Sequence, residues 1–276
     1  MQTNFNAGDW LQLLARWAHV FAAILWVGST YFFTWLDGRL TEEEKEAEKQ
    51  TGAGEKPQVW MVHSGGFYVV ERRKAAELSR RLHWFRWEAA FTWLSGMLLL
   101  VLVYYMGGLM VDQDVRDISN TTAVVIGVGV LVVGWVVYDL MVQSPLGRWE
   151  TLFAAVSFAL VAGVSYGLPR VLSGRAAYIH VGAMFGTIMA ANVWQRILPA
   201  QRRMLAAIRD GRQPDAADAA RAKLRSKHNT FMAVPAVFTM ISNHYPVTTY
   251  GARYNWLILC ALVLAGWGAA KLIRRA

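Results

Sequence analysis

Six histidines carry the chemistry this chain can offer in an apolar setting: His19, His63, His83, His180, His228 and His244. Neutral imidazole binds iron, copper and zinc, and it is the side chain that most readily trades protons near neutral pH. The single cysteine, Cys260, lies in an apolar run. That excludes a disulfide framework, a cysteine-based zinc site and a CxxCH haem attachment. No phosphate loop, nucleophile elbow or paired-carboxylate arrangement is present, so no catalytic residue is assigned from a motif.

The elements that must position these histidines are apolar and long. Of the 276 residues, 55% are hydrophobic and 13 are Trp. Apolar runs recur near Trp10–Leu36, His83–Met106, Thr122–Val142, Thr151–Leu168, Ala176–Leu198, Lys227–Pro246 and Tyr254–Ile273. This predicts an all-α polytopic transmembrane bundle of about seven spans, forming one transmembrane domain over residues 1–276. The net charge of +9 does not point to nucleic acid, because the Lys and Arg residues concentrate in segments 37–82 and 199–227 beside apolar spans. The positive-inside rule then makes both segments cytoplasmic loops, with the N-terminus outside and the C-terminus inside. No cleavable signal peptide is expected. In segment 37–82 the acidic-basic run is expected to form a solvated helix and then a Gly turn. The following WMVHSGGFYVV is expected to pack back on the bundle, with a tight turn at its glycines. Two surface helices are expected on either side of DGRQPD.

Placed on these spans, the histidines sort by depth. His19, His180 and His244 form a set toward the outer face. His83 and His228 open spans at the inner face, and His63 sits in the loop. Imidazoles on facing helices suit ligation of haem b, with His19, His180 and His244 the metal-ligand candidates and His83 and His228 further cofactor candidates. Ala22, Ala23, Gly182, Ala183 and Gly186 offer room beside two of them. Interhelical hydrogen bonds and ordinary helix packing explain the same residues equally simply. His228 and His244 are separated by roughly 24 Å of helix rise, about the thickness of the bilayer core, and fall near opposite faces of a straight helix. Pro235 is expected to kink that helix and Pro246 to end it by His244. Glu88 is expected to pair with Arg86 or another arginine, and Asp139 to pair with Arg148 or to cap locally. Asn192, Gln195 and Arg196 read as interfacial.

Four blocks, RWAHVFAAILWVGSTYFFTWLD, VHSGGFY, LHWFRWEAAFTWLSG and HNTFMAVPAVFTMISNHYP, resemble the membrane domain of the bacterial membrane-bound urate oxidase (urate hydroxylase) family. The start of the first span, with His19, Trp26 and Gly28, also looks like the first helix of other small haem-carrying membrane oxidases. The resemblance implies a multi-pass protein of the bacterial inner membrane that oxidises urate to 5-hydroxyisourate. That family commonly carries a further span and a C-terminal cytochrome c domain, and this sequence has no CxxCH. The expected electron acceptor is therefore a separate cytochrome c or a quinone, within the lipid bilayer and compatible with a larger membrane complex. Urate is an anionic purine, so its site needs a cation, amides and an aromatic face; Arg16, Asn243, Tyr245 and Arg253 are the candidates, beside His244. The alternative is a haem subunit that carries electrons between quinone and a partner cytochrome without urate chemistry. A haem-free scaffold or transporter subunit is a third reading.

Overall fold

The computed structural model describes residues 6–49, 57–72 and 82–274. Seven helical rods pack side by side. They are α1 (Ala7–Lys49), α2 (Trp87–Leu99), α3 (Asn120–Gln143), α4 (Glu150–Gly167), α5 (Gly174–Ala191) running on into α6 (Leu198–Arg209), α7 (Ala216–Ile241) and α8 (Asn255–Ile273). Six of them are long and apolar enough to cross a membrane. The exception is α7, whose first half is charged; its apolar half is surrounded by α1, α5 and α8. The bundle is apolar outside, and its mostly apolar core encloses polar and charged groups. Trp17, Phe21, Ile24, Val125 and Val132 are exposed, whereas Asp139, Arg225, Asn192, Asn229 and His180 are buried. That arrangement suits a lipid surround, and the chain is a membrane protein.

The central pair is α5 and α7, and α5 is the most buried helix. Glycines let neighbouring helices close in. A Cβ at Gly182 would stand 1.8 Å from Thr239 Oγ1 on α7, and one at Gly266 would stand 2.8 Å from Pro235 Cδ. Gly182 therefore serves the α5–α7 contact rather than leaving room for a macrocycle. Longer ties reinforce the packing: Tyr31 Oη donates to Thr230 O (3.0 Å), and Trp93 Nε1 donates to Thr187 Oγ1 (3.2 Å).

Two rods widen into π-type turns, at Leu100–Tyr105 after α2 and at Asn192–Ile197 after α5. The second precedes Pro199, which has no N–H to give and whose ring crowds the carbonyl one turn back. In α7 the helix runs on through Pro235, and it ends at Ile241 in a short 3₁₀ turn, Ser242–His244.

Segment 37–82 holds more regular structure than the expected helix and turns. The solvated helix is the continuation of α1, which extends to Lys49 without a break. Beyond it, β1 (Gln58–His63) and β2 (Gly66–Glu71) form an antiparallel hairpin, the one departure from helix among the described elements. Its two-residue turn uses Ser64 (φ 49) and Gly65 (φ 77), the left-handed pair that matches strand twist. Val59 packs on Leu36 and Leu40, and Arg72 bonds to Asp37 (2.5 Å) and Glu44 (2.7 Å) of α1. The part of the segment over 50–56 and 73–81 lies outside the described residues.

The 199–227 segment holds the two expected helices, as extensions of the rods. Asp218 of α7 accepts from Arg203 (2.6 Å) on α6 and from Arg221 (2.7 Å). Arg203, then Arg221, hold its carboxyl down to about 2. Its contribution is complete above the ordinary carboxylate range and is lost as pH falls toward that value.

Gly182→Ala is expected to lower stability by roughly 1–3 kcal/mol, because α5 and α7 must separate. Gly163→Ala, with nothing within 4 Å of the added Cβ, is expected to leave it unchanged or raised. Thermal unfolding of the two variants in detergent checks the difference.

Candidate functional site

Two polar clusters form inside the bundle, near opposite ends of α3. Gly127 marks the first and Tyr138 the second, separated by about 16 Å of helix rise.

The first cluster surrounds His180. Its ring is fully buried, and Nδ1 lies 2.7 Å from the Ala176 carbonyl. A carbonyl only accepts, so Nδ1 carries the proton and Nε2 the lone pair. Tyr105 Oη lies 3.3 Å from Nε2, its ring stacked on the imidazole at 5.8 Å, and Tyr104 meets the ring edge-on. The widened turn after α2 supplies both tyrosines. Gly127 lets α3 approach: a Cβ there would stand 2.5 Å from His180 Nε2. Tyr104 Oη donates to Asn243 Oδ1 (3.2 Å), and Arg175 Nε donates to the same oxygen (3.0 Å). One cation, one amide and two phenol rings thus converge beside a buried imidazole.

The second cluster is organised by Asp139. Arg225 donates to it at 2.7 Å, and Arg196, from the widened turn after α5, grips both carboxylate oxygens. Arg225 Nη1 also donates to Asn192 Oδ1 (3.2 Å). This fixes the amide orientation of Asn192, whose Nδ2 donates to Asn229 Oδ1 (2.9 Å) and Tyr138 Oη (3.0 Å). Tyr138 Oη in turn lies 2.9 Å from His228 Nδ1. His228 stacks on Phe153 at 4.9 Å. The expected pairing of Asp139 with Arg148 is not formed: Arg196 and Arg225 reach the carboxylate through the bundle interior. Asn192 is therefore a buried network member rather than an interfacial group, while the partly exposed Arg196 reaches into the same network. Glu88 Oε2 and Arg86 Nε are both buried with no hydrogen-bond partner, so their expected pairing is absent among the described residues.

The depth sets do not become clusters. His19 faces α2, with Nδ1 2.9 Å from Thr92 O and 3.1 Å from Ser95 Oγ. His180 faces α3 and the two tyrosines, at a different helix contact. His244 is exposed in the 3₁₀ turn. His83 is exposed and stacks edge-on with Phe85, away from His228. Among the described residues no three His, Cys, Asp or Glu side chains converge to hold a metal ion. As haem ligands, His19 and His180 each have Nδ1 engaged by a backbone carbonyl, which sets the tautomer that binds iron through Nε2; that nitrogen makes no hydrogen bond among the described residues at His19, whereas at His180 it accepts from Tyr105 Oη and packs against Gly127. The fit is single: each imidazole stands alone at its own helix contact, and no facing imidazole completes a pair. For the substrate candidates, Asn243 is at the first cluster, whereas Arg16 and Tyr245 are exposed and Arg253 lies over the Tyr254 ring. Arg175, Tyr104 and Tyr105 carry the cluster instead. The one sequence signal for Arg175 is a cation immediately before a predicted span that also holds a histidine.

The urate oxidase N-terminal family matches residues 6–274. The chain belongs to this family. No curated protein and no solved structure matches it. Family membership and the apolar exterior together make it a urate-oxidase-like membrane protein.

Removing Arg225 leaves Asp139 buried with Arg196 as its one cation, beside the Gln143 amide, and frees Asn192. Arg225→Ala is expected to destabilise the protein by roughly 3–5 kcal/mol. Arg196→Ala, at a more exposed guanidinium, is expected to cost about 1 kcal/mol or less. Unfolding midpoints of both variants, measured side by side, test this order.

Proposed function

We propose that the protein is a urate-oxidising membrane oxidoreductase, converting urate to 5-hydroxyisourate and passing the electrons to a separate carrier. Family membership supports the substrate class, and the cluster around His180 is the observation that carries the site. Urate is a planar anion bordered by amide N–H and carbonyl groups. Arg175 offers the counter-charge, Asn243 an amide, and Tyr104 and Tyr105 flat faces. Shared with a ligand, Arg175 and Asn243 would exchange their mutual hydrogen bond for bonds to the purine edge.

Haem b is the proposed redox group; it would be held through Nε2 of His19, or through Nε2 of His180 if Tyr105 Oη and the Gly127 contact give way, and when bound it supplies one-electron chemistry. Around it the chain's own groups have defined tasks. Ala176 O orients the His180 ring, Tyr105 Oη stands ready to give or take a proton beside it, and the apolar rods exclude water. The Lys and Arg distribution supports a multi-pass inner-membrane protein with segments 37–82 and 199–227 in the cytoplasm. His180 then lies toward the outer side. The carrier is a cytochrome c or a quinone, and assembly with it in a larger membrane complex is compatible with the exposed apolar surface.

Urate consumption by membranes containing the full chain, with ferricyanide as acceptor, tests this reading. Arg175→Gln is expected to raise KM for urate about 10- to 100-fold, the loss of one charge-assisted contact, with a smaller change in kcat. Arg253→Gln, outside the cluster, is expected to leave KM unchanged. No urate consumption by the wild-type protein would overturn the reading.

A further inference from the structure

A cavity of about 740 Å³ lies among α3, α4, α5, α7 and α8 and begins at the second polar cluster. Its volume is in the range of small-molecule and cofactor sites. Its long wall is apolar. Val133 and Val137 of α3 and Leu160 of α4 line it and are also exposed on the outer surface of the bundle. It therefore opens sideways, toward lipid, between two helices that share the turn Pro145–Arg148 but diverge beyond it. A ligand that enters this way is itself lipid-soluble.

The end beside the Pro145–Arg148 turn is polar. His228, Tyr138 and Arg148 all line it. The Tyr138 hydroxyl accepts from Asn192 Nδ2, so its one proton is free to go to His228 Nδ1. Among the described residues it has no other acceptor. Nδ1 is then the accepting nitrogen and the proton sits on Nε2. This is the reverse of the tautomer at His180, and it suits donation to a ligand oxygen rather than binding of a metal. Nε2 takes no hydrogen bond among the described residues. Arg148 likewise has no hydrogen bond or ion pair among them, so it offers a second set of donors. Lys227, the other cation at this end, is neutralised by Glu150 at 2.6 Å. The end thus presents donors, with Arg148 its one uncompensated cation among the described residues. A neutral head with carbonyl acceptors on an apolar tail fits both ends.

We propose that this cavity binds a lipid-soluble para-quinone, with His228 Nε2–H donating to one carbonyl, and that this quinone is the electron acceptor. The proposal rests on the urate-oxidising reading for the source of electrons. The reaction balances as urate plus water plus quinone giving 5-hydroxyisourate plus quinol. Urate loses two electrons and two protons overall, water supplies the new C–O bond, and the quinone oxygens gain both electrons and both protons. The Tyr138–His228 hydrogen bond provides the route by which one of those protons reaches the head.

The test is binding of decylubiquinone to the purified full chain in detergent, followed by quenching of tryptophan fluorescence, since Trp267 lines the cavity. Saturable quenching is expected that dodecanol, a tail without carbonyls, does not displace. His228→Phe keeps the ring stack on Phe153 and removes the donor, and affinity is expected to fall about tenfold or more. His228→Gln restores an N–H donor and is expected to recover part of it. Gly129 lines the cavity, and a Cβ there meets nothing within 4 Å, so Gly129→Leu adds bulk at the cavity wall and is expected to abolish binding. Displacement by dodecanol or by dioctanoylphosphatidylglycerol as readily as by quinone, or wild-type affinity in His228→Phe, would overturn the proposal. Urate-driven formation of the quinol tests the acceptor role. If ferricyanide supports urate consumption and quinone neither binds nor is reduced, this proposal fails alone. If quinone binds and ferricyanide supports no urate consumption, the urate reading fails and the binding site stands.

Discussion

A carboxylate held inside an apolar bundle is the constraint on which this structure depends. Asp139 sits one turn from the end of α3, where a lone charge costs several kcal/mol. Two guanidiniums meet it, from α7 and from the widened turn after α5. That requirement brings three rods together at one level and draws the least apolar of them, α7, into the centre. Once Arg225 is there, its second donor fixes Asn192, Asn192 fixes Asn229 and Tyr138, and Tyr138 fixes the His228 tautomer. Packing elsewhere follows from closeness of the same helices: Gly182 against Thr239, Gly134 against Met184, Gly266 against Pro235.

The two polar clusters use one residue vocabulary in opposite ways. At His180 a backbone carbonyl takes the Nδ1 proton, and the ring offers a lone pair. At His228 a tyrosine hydroxyl gives a proton to Nδ1, and the ring offers N–H. One arrangement suits a metal or a proton acceptor; the other suits a carbonyl ligand. The first adjoins a cation, an amide and two phenols, while the second opens on a cavity reached from lipid. A protein that takes electrons from a polar anion and delivers them to an apolar carrier needs two such unlike sites.

Much of the bundle was legible in the sequence, because apolar runs of bilayer length leave little choice of fold. The end of the α7 helix before His244 followed from Pro246, and the tight turn at Ser64–Gly65 from its glycines. The site was less legible. Arg225 lies in RAKLRSK and reads as one more loop cation, yet it is nearly the most buried charge in the chain; only the position of Asp139 across the bundle distinguishes it. Depth alone placed His19, His180 and His244 together, but depth says nothing of which face of a helix a ring occupies, and the three face different neighbours. The hairpin escaped notice because its strands are short and its alternation is blurred by Trp60 and Phe67 on the exposed side. The continuity of α1 to Lys49 was hidden by the abrupt change from apolar to charged residues, which marks a change of surroundings rather than the end of a helix.

Oxidation of urate by a membrane redox group is the central claim. Its most direct measurement is the absorption difference spectrum of the purified full chain, with urate as the only reductant, under anaerobic conditions. The account predicts b-type haem bands that appear on addition of urate and are lost in His180→Ala. A protein that carries no pigment, or a haem that dithionite reduces and urate does not, would contradict it.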